Sequence, residues 1–272
     1  MEVGISTASF FTKFPTEGTF EIIKNLGFNI CEVFLTTFRE YTPQFVSLFK
    51  EKLDGIKVFS IHTLNQQFEP ELFNIMARTR EDCEVFFTQV AYAASELNAN
   101  YYTFHGPAKL KKRKYTHNYP WIAERLEHLN RILFDCTNGR CELAYENVHW
   151  TYFSEPEFFG ELKRLSPIKG CLDIKQAKQS GIDVYDYIKV MGNRIVNVHV
   201  CDYDEEGNLK LPGQGTFDFI KLCSSLISIN YNGPLIIEVY ANNYNNLDEI
   251  IVSKQYLEDC INTAKKMFKS NN

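Results

Sequence analysis

Eight short apolar runs, at positions 3–6, 30–34, 58–62, 101–105, 143–146, 170–173, 195–200 and 235–239, recur about 25 to 45 residues apart along the whole chain. Between and after them lie stretches at 20–26, 45–53, 80–97, 121–136, 156–165, 184–191, 217–227 and 247–268, with apolar residues three and four apart. That spacing makes one face of a helix, and the short runs have the length of buried strands. Eight strands each followed by a helix predict an α/β fold of the (β/α)8 TIM barrel type. Gly27, Gly55, Gly233 and the Asn98–Asn100 pair stand where helices should stop before the next strand. No linker or low-complexity stretch divides the chain, so a single domain over 1–272 is expected.

The strand at 195–200 shows the design most clearly. Alternation puts Val196, Val198 and Val200 on one face and Asn197 and His199 on the other. Four more runs end in a polar residue of the same kind: His105, Glu146, Asp173 and Glu238, and the run at 58–62 ends in His62. Catalytic groups of such barrels sit at the C-terminal ends of the strands, which gives all six residues one address.

Composition narrows the function. A chain of 272 residues that is 44% hydrophobic can bury a large core. The net charge of -5 argues against a protein that holds nucleic acid mainly by a basic surface. Eight cysteines without a CxxC pair read as reduced thiols, and no apolar run is long enough to span a membrane. A cytoplasmic protein is the expectation.

Glu146, Asp173, His199 and Glu238 together offer three carboxylates and one imidazole. This mixed oxygen and nitrogen set suits one divalent metal ion, Mn²⁺, Mg²⁺, Co²⁺ or Zn²⁺. Three anions crowded on one rim repel one another unless a cation sits among them. Singly, each carboxylate reads as a salt bridge or helix cap, and His62 or His105 as a hydrogen-bonded core histidine. Their joint placement favours the metal.

The segments Tyr145-Glu146-Asn147, Cys171-Leu172-Asp173, Val198-His199-Val200-Cys201-Asp202, Leu211-Pro212-Gly213-Gln214-Gly215 and Ile237-Glu238 resemble those of the xylose-isomerase-like TIM barrel superfamily. That superfamily groups sugar isomerases and epimerases, inosose dehydratases and endonuclease-IV-type abasic-site endonucleases (AP endonuclease family 2). The resemblance implies that Glu146, Asp173, His199 and Glu238 bind one metal, and that His62 and His105 touch substrate or a further metal. Two departures count against the endonucleases. Gln176 stands where many members carry a histidine three residues after the sixth-strand Asp, and residues 203–208 lack the Asp-x-His pair of a trinuclear zinc site.

The remaining candidates are substrate contacts. Lys175 could bind an anionic group, act as an acid or base if its pKa falls, or be a solvated loop lysine. Glu32, read as closing the second strand, could bond substrate or support its neighbours; Asp202 is read as a support or a contact, and Gln176 as a binding group. Trp150 and Tyr152 could stack on a sugar face, and the run from Lys109 to Lys114 could attract an anion or be a solvated loop.

The expected activity is a metal-dependent isomerisation or epimerisation of a small sugar, sugar phosphate or polyol ketone through an enediolate, with Glu146 and Glu238 exchanging the proton. A dehydratase would share that intermediate. The competitors are a zinc phosphodiesterase acting on abasic DNA and a barrel that binds a small molecule without turning it over. The expected partner is a sugar-like small molecule, with neither nucleic acid nor membrane. Related barrels often form homodimers or homotetramers, and the sequence does not choose.

Overall fold

The computed structural model describes residues 1–64, 68–109, 118–151 and 154–270. Eight parallel strands close into the expected barrel: β1 (Val3–Ser6), β2 (Ile30–Leu35), β3 (Lys57–Thr63), β4 (Tyr101–Phe104), β5 (Glu142–Glu146), β6 (Lys169–Asp173), β7 (Ile195–Val200) and β10 (Leu235–Ile237). They follow chain order around the barrel, and β10 closes it by pairing with β1 through Val3↔Leu235 and Ile5↔Ile237. Between β7 and β10 lies a two-stranded antiparallel ribbon, β8 (Asp202–Tyr203) with β9 (Leu209–Lys210), which the periodicity does not predict.

Helices α1 (Thr16–Asn25), α2 (Pro43–Leu53), α3 (Ala77–Glu96), α4 (Tyr119–Cys136) and α5 (Pro156–Leu165) follow the first five strands in turn. Two helices follow β6: α6 (Ile174–Ser180) and α7 (Val184–Met191). The chain closes with α8 (Phe219–Ser228) and α9 (Asp248–Ser270). Helix α6 is an addition to the expected pattern. It starts directly on Asp173, whose side chain accepts the Gln176 N–H, and ends on Gly181 in the left-handed region. No helix among the described residues is long and apolar enough to cross a membrane. All eight cysteines are free thiols.

Outward strand residues such as Val33, Ile61, Tyr102, Leu172 and Val198 are buried beneath the helices. The inside of the barrel is polar instead: Ser6, Glu32, Ser60, Thr103 and Asn197 meet within one hydrogen-bonded layer. Register shifts mark the β2–β3 pairing at Cys31/Glu32 and the β6–β7 pairing at Gly170/Cys171. Such irregularities re-aim side chains, and these two flank Glu32 and Asn197 in the layer.

The loop after β8 is organised by one carboxylate. Asp202 accepts the N–H groups of Tyr203 at 2.8 Å and Phe217 at 3.0 Å on one oxygen, and of Gly213 and Gly215, both at 3.0 Å, on the other. Replacing Asp202 by Ala leaves these donors without their acceptor, and we expect a loss of about 2–4 kcal/mol of stability, read by urea unfolding. A change within about ±0.5 kcal/mol, the ordinary surface-substitution scatter, would mean that water replaces the carboxylate fully.

Candidate active site

The C-terminal rim of the barrel collects the chemistry. His199, on β7, is the hub of the site. Its Nδ1 faces Glu238 Oε2 at 2.7 Å, Asp173 Oδ2 at 3.5 Å and Glu146 Oε1 at 3.8 Å, and its Nε2 faces Glu32 Oε2 at 3.1 Å. All are buried. The backbone positions them: β6 and β7 pair Asp173 with His199, and β7 and β10 pair His199 with Ile236, two residues before Glu238. Asn147 fixes the neighbouring strand ends, accepting the Asp173 N–H at 2.7 Å and donating to the Asp173 carbonyl at 3.0 Å.

Glu146 Oε2, Asp173 Oδ2, His199 Nδ1 and Glu238 Oε2 are each buried and lie against ionisable side chains: His105 for Glu146, Lys175 for Asp173, and each other for His199 and Glu238. Three buried carboxylates gathered around one imidazole call for positive charge among them. Ligand atoms of Glu146, Asp173 and His199 lie within 4.8 Å of one another, and Glu238 joins them at His199. Two ligands about 2.1 Å from one ion lie at most about 4.2 Å apart, so Glu146, Asp173 and His199 need only a small contraction to fit a divalent cation.

His62, His105 and Glu146 form a second cluster of the same kind, with Glu146 common to both. His105 Nε2 stands 3.0 Å from Glu146 Oε2. Burial opposes a charge on His105, but Glu69 and Glu146 outweigh it and raise its pKa to about 10.

Counter-charge comes from two sides. Lys175 is buried, with Nζ 3.1 Å from Glu238 Oε1 and 3.8 Å from Asp173 Oδ2. It is no solvated loop lysine. Burial favours its neutral form, yet Glu238 and Asp173 prevail and hold its pKa well above the ordinary lysine value, opposite to the lowered pKa that acid/base service would need. Burial pushes the Glu238 carboxyl up, while Lys175 and His199 together bring it well below its ordinary range.

Glu32 is the third residue of β2 rather than its last, so it lies one layer below the rim. Ser60 at 2.7 Å, Thr103 at 2.8 Å and Asn197 at 2.9 Å donate to it, leaving it behind His199 as an orienting group. His62 Nδ1 lies 3.3 Å from its other oxygen. Both oxygens of Asp202 are occupied by backbone N–H groups of its own loop. Gln176 accepts the His149 N–H at 3.2 Å and meets His149 Nδ1 at 2.6 Å, which brings an imidazole beside it. Trp150 has its ring 5.9 Å from that of His105. Lys109 is tied to Ser154 Oγ at 2.9 Å, whereas Tyr152 and the rest of the basic run lie outside the described residues.

Glu69 and His149 were not legible as site residues. Their meaning comes from partners far along the chain, and neither lies on a strand.

A family model described as xylose isomerase-like TIM barrel matches residues 20–260. No curated protein matches the chain in sequence. Among solved structures, a D-tagatose 3-epimerase-like protein is similar at a TM-score of 0.78 and 18% identity, covering 98% of this chain and 100% of its own. D-psicose 3-epimerase with D-tagatose from Clostridium cellulolyticum H10 gives 0.75 and 14%, covering 98% and 99%. IolI protein with a binding zinc atom gives 0.75 and 15%, covering 96% and 98%.

Proposed function

The chain belongs to the xylose isomerase-like TIM barrel family, and on that premise we propose that it is a divalent-metal-dependent epimerase or isomerase of a small ketose-like sugar. The observation that carries this reading is the gathering of three buried carboxylates, Glu146, Asp173 and Glu238, around the His199 Nδ1. Similar structures titled as sugar epimerases support the substrate class. When bound, the cation supplies positive charge to a carbonyl oxygen and its neighbouring hydroxyl, and so favours the enediolate.

The protein's own groups then divide the work. Glu146, at the end of β5, and Glu238, just past β10, flank Asp173 and His199 from two sides of the ring of strands. One carboxylate takes the proton from carbon, and the other or the same one returns it. Return from the opposite side inverts the carbon; return to the neighbouring carbon moves the carbonyl. Lys175 holds Glu238 by Oε1 and leaves Oε2 to face His199. Trp150 offers a flat apolar wall beside His105.

The test is proton exchange. Protein supplied in turn with Mn²⁺, Co²⁺, Mg²⁺ or Zn²⁺ is incubated in D2O with a panel of ketopentoses, ketohexoses and their phosphates. We expect deuterium at the carbon next to the carbonyl, together with a new epimer or isomer, both read by NMR. Absence of exchange on every sugar, with cleavage of abasic DNA in the presence of zinc, would replace this reading by the phosphodiesterase. That second reading draws on the His62, His105 and Glu146 cluster, which could take a further ion.

A further inference from the structure

Glu69 opens the short 3-10 helix Glu69–Phe73 after β3 and is fully buried. Each of its oxygens meets two donors. Oε1 accepts from the Tyr102 hydroxyl at 2.6 Å and from the Thr63 hydroxyl at 2.8 Å. Oε2 accepts the His105 backbone N–H at 3.0 Å and lies 3.2 Å from His105 Nδ1. With its oxygens filled by donors, Glu69 is an ionised acceptor, so the ring nitrogen facing it must carry the hydrogen. The other ring nitrogen, Nε2, is thereby turned toward Glu146 Oε2, 3.0 Å away.

We propose that Glu69 is a positioning residue of the site, holding the His105 ring through its Nδ1–H and so presenting Nε2 to the reacting centre beside Glu146. Three of its four donors, Thr63, Tyr102 and the His105 backbone, come from β3, β4 and the residue after β4, so the lock is anchored in the barrel itself. The same device recurs in reverse at His199, where Nε2 meets the buried Glu32 and Nδ1 faces Glu238. Two imidazoles thus enter the site by opposite nitrogens, each with a buried carboxylate behind it. A carboxylate behind an imidazole fixes the direction of its ring.

The placing of Nε2 at a reacting centre rests on the proposed function; the hydrogen bond from His105 Nδ1–H to Glu69 does not. The test therefore begins with ¹H–¹⁵N spectra of histidine ring N–H groups, the His105 signal being assigned by its loss in His105→Asn. We expect a hydrogen-bonded Nδ1–H signal in the wild type, retained in Glu69→Gln, whose amide oxygen can still accept, and lost or moved upfield in Glu69→Ala. If Glu69→Ala does not fold, Tyr102→Phe with Thr63→Val, which unpins Oε1, should shift the same signal.

On a sugar turned over by the wild type, kcat should fall about 10- to 100-fold in Glu69→Ala at little-changed KM, with Glu69→Gln recovering most of the loss. An Nδ1–H signal at the wild-type position in Glu69→Ala, or in the double variant where that is the one that folds, overturns the proposal. Failure of the wild type on every sugar would instead count against the functional reading, and would leave the ring spectra to decide about Glu69.

Discussion

Glu238→Gln is expected to leave a folded barrel that turns over its sugar at least about a thousandfold more slowly, within the range lost with a general acid or base. The substitution removes one of the four convergent ligand atoms, or replaces it by an amide that binds a cation poorly, and it takes away a carboxylate that can carry a proton. It also strips Lys175 of the partner 3.1 Å away and leaves only Asp173 at 3.8 Å. Breaking a buried pair from one side costs about 3–5 kcal/mol, because the remaining charge stays buried. Stability and activity therefore need separating.

A double-mutant cycle does this. Lys175→Met alone and Glu238→Gln alone should each destabilise the metal-free protein, and the double variant should lose less than their sum, since no uncompensated charge remains. Activity should not return in the double variant. Urea unfolding in a chelator measures the first statement, and the deuterium exchange assay the second. If Glu238→Gln exchanges protons at the wild-type rate, Glu238 neither moves a proton nor holds a needed cation. The reading of a binding barrel without turnover would then gain.

The architecture was legible because its signals are local and repeated. Each strand between β2 and β7 carries its apolar outward face within a few residues, and Gly27 and Gly55 mark helix ends by their own backbone preference. Strand ends were read too long, by one residue at 101–105 and by two at 235–239. A ladder ends where the partner strand stops pairing, and side-chain pattern does not record that. Two-residue strands such as β8 and β9, and the seven-residue helix α6, are too short to show a period at all. The four ligands were legible as strand-end polar residues. Depth was not: Glu32 reads like a rim carboxylate but stands a layer lower, on the β2 side of the shifted β2–β3 pairing. Glu69 had no local sign, because its partners Tyr102 and His105 lie 33 and 36 residues away.

Removing and restoring the metal should move stability as far as any substitution. Without a cation, the carboxylates Glu146, Asp173 and Glu238 depend on Lys175 and on a charged His199. Burial alone would discharge His199, but its anionic surroundings, Glu32 and Glu238 among them, hold its pKa well above the ordinary histidine value. A cation bound at Nδ1 must displace that proton. Affinity should therefore rise with pH, by about tenfold per unit while the ring is protonated in the free protein, and binding should release about one proton. Calorimetry in two buffers of different ionisation enthalpy reads the proton directly.

With free metal at about a thousand times its dissociation constant, the native state gains about 4 kcal/mol. For a chain of this size that corresponds to a melting temperature higher by roughly 10 °C. His199→Ala should abolish both the shift and the proton release, whereas His62→Ala should leave them in place if one ion binds among the four ligands. A titration that saturates at two ions per chain, and falls to one in His62→Ala, would assign the second ion to His62, His105 and Glu146, making Glu146 a bridge. If none of Mn²⁺, Co²⁺, Mg²⁺ or Zn²⁺ shifts the melting temperature, Lys175 is the site's permanent cation. The carboxylate oxygens would then have to meet substrate hydroxyls instead.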